Sequence, residues 1–165
     1  MKEEKSMSTP SELLKNVSGL LLEKNLHIAT AESCTGGLLA HTLTNIAGSS
    51  SYFERGVITY SNQAKMDLLR VPKPILDSVG AVSAEVAKAM AKGIRENAGV
   101  DIGLATTGIA GPGGGSKEKP VGLVFIGCAS SRGTSVKKYQ FQGKRVEIKQ
   151  ATCFEALQML LECLS

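Results

Sequence analysis

The chain has 165 residues, 42% of them apolar and 21% charged, with a net charge of +4 at pH 7 and a mean hydropathy of +0.03; this excludes a disordered chain and predicts one compact domain over 1–165, with 1–8 as a tail. No apolar run approaches the roughly 18–20 residues that span a bilayer, and the opening MKEEKSMSTP lacks the apolar centre of an export signal, so a cytoplasmic protein without a membrane partner is expected. Tryptophan is absent and aromatics make up 4%, which removes the stacking platforms of single-strand nucleic-acid binders, although the mild positive charge suits a small anion as well as a polyanion.

Thr9-Pro10-Ser11-Glu12 carries the signature of a capped helix start, and Leu13, Leu14, Val17, Leu20 and Leu21 then recur on one face. Residues 26–31 form a short apolar run, partly β-branched and ended by the turn 33–37, which predicts a buried strand. A helix is expected from about Thr35 to Ile46, an extended segment over 52–60, and a helix from Ser61 or Asn62 to Leu69 that Pro72 and Pro74 stop. Ser83 caps the next helix, whose apolar face is Val86, Ala87, Met90, Ala91 and Ile94. A strand over 101–107 runs into a glycine-rich loop, 108–119. Segments 121–130 and 134–141 read as a hairpin, and a helix from about Lys144 ends the chain. Helices alternate with strands before the hairpin, which predicts a three-layer α/β/α sandwich with a mixed sheet and its pocket at the carboxyl ends of strands.

Three segments could carry chemistry. In Ala31-Glu32-Ser33-Cys34-Thr35-Gly36-Gly37 a serine occupies a sharp strand-to-helix turn, beside helix N–H groups that can stabilise an oxyanion. The alternative is that Ser33, Cys34 or Thr35 only caps the helix, and Cys34 competes as nucleophile. In Tyr60-Ser61-Asn62-Gln63-Ala64-Lys65 a cap at Ser61 places Lys65 in the first helical turn, where the macrodipole and desolvation both favour the neutral amine. A lysine base with a serine nucleophile suits acyl transfer, whereas a solvent-exposed lysine would have no role. The loop from Thr106 to Ser116, with Thr107, Gly108 and Gly111, could form an anion-binding nest, or could be a flexible surface loop. Arg145, near a helix N-terminus, suits a phosphate; Lys137, Lys138, Lys144 and Lys149 read as a solvated basic face. Cys34, Cys128, Cys153 and Cys163 lack CxxC pairing, and His27 and His41 lack zinc-site spacing, so no metal, disulfide framework or cofactor is expected.

Together AESCTGG, GVITYSNQAK and TTGIAGPGGGSKEKPVG resemble the C-terminal domain of the CinA (competence-damage protein) family, over about 13–164. The resemblance implies hydrolysis of the carboxamide of nicotinamide mononucleotide to nicotinate mononucleotide and ammonia, a step of pyridine nucleotide salvage. It implies Ser33 as nucleophile, Lys65 as its base and Tyr60 positioning or relaying the proton. Glu32, Thr35, Gly36, Gly37, Thr107, Gly108, Gly111 and Arg145 are expected around the substrate. The oxyanion contacts are expected from backbone at 35–37 or 107–108, and the phosphate contact from Arg145. The alternative is a non-catalytic nucleotide-binding or competence-related interaction module. The apolar helices and small size favour a homodimer.

Overall fold

A computed structural model describes residues 9–165; the tail expected at 1–8 lies outside the described residues. Helix α1 (Pro10–Glu23) starts at the anticipated box, in which Thr9 Oγ1 accepts from the Glu12 N–H and the Glu12 carboxylate accepts from the Thr9 N–H. Then follow β1 (Ile28–Glu32), α2 (Leu38–Leu43), β2 (Phe53–Ile58), α3 (Asn62–Leu69), α4 (Lys73–Val79), α5 (Ala84–Ala98), β3 (Ile102–Gly108), β4 (Leu123–Ser130), β5 (Gly133–Gln140) and α6 (Arg145–Leu164). No helix among the described residues is long and apolar enough to cross a membrane.

The strands form one sheet in the order β2-β1-β3-β4-β5, with β2, β1 and β3 parallel and β4 and β5 added antiparallel. Helices α1, α2 and α6 cover one face over a core of Ile28, Leu104, Val124, Ile126, Leu157 and Leu160. On the other face α5 lies against Ala29, Ala31, Ala105 and Ala129, with α3 and α4 packed beside it. Ile28, Ile102, Leu104, Val124 and Ile126 face α1 and α6, whereas the small Ala29, Ala31, Ala105 and Ala129 face α5, as the two-residue alternation of a strand requires. The result is the expected three-layer sandwich with a mixed sheet.

Two expectations need correction. Helix α2 is shorter than 35–46 because Gly36 and Gly37 have φ of +59° and +103°, a left-handed pair that cannot belong to an α-helix, so the helix begins at Leu38. Pro72 and Pro74 do more than stop α3, which ends at the left-handed Arg70: Pro72 becomes the N-cap of α4 and Pro74 sits in its first turn. First-turn N–H groups have no intrahelical acceptor, so a proline there loses no helical hydrogen bond.

Candidate active site

The site follows from strand register. Glu32 pairs with Ile58 on one side and Thr106 on the other, so the next residue of each parallel strand reaches the same level at its carboxyl end. The Ser33 N–H donates to the Thr106 carbonyl at 3.0 Å, and the Thr59 N–H donates to the Glu32 carbonyl at 2.8 Å. Strand β1 has β2 on one side and β3 on the other, so the chain switches sides across β1 between β2 and β3, and a crevice opens at the carboxyl ends there. A pocket of about 220 Å³ lies there.

Ser33 is 9% exposed and Lys65 1%. Lys65 Nζ is 3.1 Å from Ser33 Oγ and donates to the carbonyls of Thr59 at 2.9 Å and Tyr60 at 3.4 Å. Ser61 caps α3 through the Ala64 N–H at 3.0 Å, which puts Lys65 in the first turn as the sequence predicts. No carboxylate pairs with Lys65 among the described residues. Burial holds its pKa below the usual lysine value, against a smaller opposing influence from Cys34. A neutral amine has two N–H bonds and one lone pair, so in that form both carbonyls can be served with the lone pair left for the Ser33 hydroxyl.

Cys34 is set apart by the same environment. It is 6% exposed, and burial pushes its thiol up to about 11, so it is protonated near neutral pH. Of the two adjacent side chains, Ser33 is the one that Lys65 Nζ reaches.

The pocket brings together Ser33, Tyr60, Lys65, Thr107, Gly108 and Arg145 of the predicted set. Arg145 is the first residue of α6; its guanidinium donates to the Gly111 carbonyl at 2.7 Å and to the Tyr60 hydroxyl at 2.8 Å, bridging the glycine loop and the rim. Tyr60 is 60% exposed, and its hydroxyl contact is with Arg145 and not with Ser33 or Lys65, so a direct proton relay has no geometry here. Thr107 Oγ1 donates to the Ala81 carbonyl at 2.8 Å, fixing the α4–α5 connection as the opposite wall.

Glu32, Thr35, Gly36, Gly37 and Gly111 do not line this pocket. Glu32 is 1% exposed, and its carboxylate accepts from Thr35 Oγ1 at 2.6 Å, the Leu39 N–H at 2.8 Å and the Ala40 N–H at 3.0 Å. It caps α2 with a donor on each of its oxygens, because the two left-handed glycines turn the chain back over it. Thr35 joins this network and meets Thr106 Oγ1 at 2.7 Å. Gly111 acts through its carbonyl on Arg145, while Gly113, Gly114 and Gly115 are exposed, so the glycine run does not cradle the pocket. On the serine turn the Gly36 N–H is bonded to the Ser33 carbonyl, whereas the N–H groups of Cys34 and Thr35 have no backbone acceptor among the described residues.

Sequence reasoning missed Asn62, Ala81, Val82 and Ala110 in the wall. Asn62 had a signal, its place one residue after the Ser61 cap; the others are small apolar residues brought in by long-range packing. Among the described residues no three His, Cys, Asp or Glu side chains group as metal ligands.

A model of the CinA C-terminal domain matches residues 10–164. The chain is 54% identical over 144 residues to a CinA-like protein of Geobacter sulfurreducens and 52% identical over 144 residues to one of Geotalea daltonii; each match covers 87% of this chain and 35% of the relative. The chain thus spans about a third of the length of these curated relatives. It superposes with a TM-score of 0.91 on the competence/damage inducible protein CihA from Agrobacterium tumefaciens, at 42% identity, covering 94% of this chain and 98% of that one. A CinA superfamily protein from Enterobacter cloacae gives 0.92 at 30% identity, covering 97% and 95%.

Proposed function

The chain belongs to the CinA C-terminal domain family, and from that premise we propose that it is a serine amidohydrolase that converts nicotinamide mononucleotide to nicotinate mononucleotide and ammonia. The observation that carries this reading is the buried Lys65 amine 3.1 Å from Ser33 Oγ, with no carboxylate paired to it among the described residues. A pure binding module has no need of a desolvated amine against a pocket-lining hydroxyl.

The lone pair of Lys65 takes the Ser33 proton as Oγ attacks the carboxamide carbon, which the electron-poor pyridinium ring makes more electrophilic. The N–H of Cys34, which lines the pocket and has no backbone acceptor among the described residues, is the donor assigned to the tetrahedral oxyanion. Lys65, now an ammonium, protonates the departing nitrogen, and ammonia leaves. A water molecule then attacks the acyl-enzyme, passing its proton to Lys65, which returns one to Ser33 Oγ as the acid is released. Ala81, Val82 and Ala110 offer an apolar wall to the ring, and Arg145 on the rim offers its charge to the phosphate.

The test is ammonia release from nicotinamide mononucleotide by the wild type and by Ser33→Ala. Wild-type turnover that falls at least about a thousandfold in the variant, with nucleotide binding retained, is the expected outcome. A variant that keeps its turnover overturns the nucleophile, and binding without turnover in the wild type leaves the non-catalytic nucleotide-binding module.

A further inference from the structure

Toward the end of the sheet opposite the Ser33 pocket lies a second concentration of reactive groups. Cys128, near the end of β4, pairs with Leu104, the third residue of β3. Cys163 sits in the last turn of α6. Both thiols line a cavity of about 300 Å³ whose wall includes Ser130, Arg132, Met159 and Glu162. A neighbouring recess of about 220 Å³ shares Ser130, Arg132 and Cys163, so Cys163 is reached from two sides.

We propose that Cys163 and Cys128 form a peroxide-reactive thiol pair that closes to an intramolecular disulfide, with Cys163 the attacking thiol and Cys128 the resolving one. The geometry separates the roles: Cys128 is buried, whereas Cys163 is half-buried between the two recesses. Cys128 and Cys163 line the same cavity, and their mutual influence lowers the pKa of Cys163 and raises that of Cys128, with Ser130 and Arg132 also lowering the Cys163 value against its partial burial. A helix C-terminus disfavours an anion, but here Arg132 donates from its guanidinium to the Cys163 carbonyl and brings positive charge to that end. Cys34 and Cys153 lie in the core, and burial holds both as thiols, so they serve as internal controls.

The co-reactant is a hydroperoxide. The Cys163 thiolate sulfur attacks one peroxide oxygen, the O–O bond breaks and hydroxide leaves, which oxidises the sulfur by two electrons to a sulfenic acid. Cys128 sulfur then attacks that sulfur; the S–S bond forms, the S–O bond breaks, and the departing hydroxide takes the Cys128 proton as water. In sum, two thiols and one molecule of hydrogen peroxide give one disulfide and two molecules of water.

The experiment treats the reduced full chain with one equivalent of hydrogen peroxide, then uses intact mass and non-reducing peptide mapping. The expected result is the loss of two hydrogens and a Cys128–Cys163 linked peptide, with Cys34 and Cys153 still alkylatable. In Cys128→Ser, dimedone should label Cys163; in Cys163→Ser, Cys128 should stay unlabelled. An unchanged wild-type mass, oxidation at Cys34 or Cys153, a disulfide between two chains, or oxygen retained on Cys163 beside a free Cys128 would each overturn the proposal. The wild-type measurement stands whether or not either variant folds.

Discussion

Lys65 carries the greatest chemical weight of any side chain in the structure, and its environment sets a sign. Burial favours the neutral amine, and only that form accepts the Ser33 proton. The amine fraction grows with pH, so kcat/KM for the proposed amidase rises with pH and levels off above the Lys65 pKa, at a pH below the ordinary lysine value. A rate that falls across that range would contradict the assignment. Lys65→Arg keeps a positive charge but cannot supply a lone pair, and turnover is expected to drop at least about a hundredfold at every pH in a steady-state assay. This lysine was legible in the sequence because Ser61 caps the helix and fixes its first turn, a relation spanning four residues. The carbonyls of Thr59 and Tyr60 that accept from its amine were not, since they depend on how the end of β2 folds back over the amine.

At the scale of elements, the turn between β1 and α2 depends on Glu32. The sequence suggested a cap from Ser33, Cys34 or Thr35, each next to the supposed helix start. The cap comes instead from Glu32, seven residues before Leu39, because Gly36 and Gly37 reverse the chain and bring the first helical N–H groups over the carboxylate. A buried carboxylate needs its acceptors filled, and three donors reach two oxygens here. Glu32→Gln leaves one acceptor oxygen and turns an amide NH₂ toward a donor. A loss of about 1–3 kcal/mol is expected in urea unfolding, and an unchanged midpoint would show that the cap contributes little. Helix α4 was missed for a related reason: proline ends one helix and opens another with the same ring, and which it does depends on whether apolar contacts such as Leu76 await the next turn.

Across the whole molecule, the separation between layers depends on small residues. Gly103 in β3 and Gly127 in β4 lie under α5: a Cβ on Gly103 would stand 2.2 Å from the Ala91 carbonyl oxygen, and one on Gly127 2.6 Å from that of Ala87. Gly103→Ala is therefore expected to force α5 off the sheet, lowering the urea midpoint by the equivalent of about 1–3 kcal/mol with an unchanged slope. A variant as stable as wild type would mean that the helix shifts freely. This contact also reaches the pocket, since α5 follows the Ala81–Val82 wall. The sequence by itself determined the elements whose signals are local: the box at Thr9, the caps at Ser61 and Ser83, and the hairpin. It also placed Ser33 and Lys65 each at the start of its own turn or helix. Only the tertiary structure decided that they meet, that Glu32 is turned inward, that Tyr60 bonds to Arg145, and that Cys128 and Cys163 share a cavity. Each of those pairings joins residues on different elements or reverses a chain direction, and local propensity contains no term for the register that brings distant segments to one level.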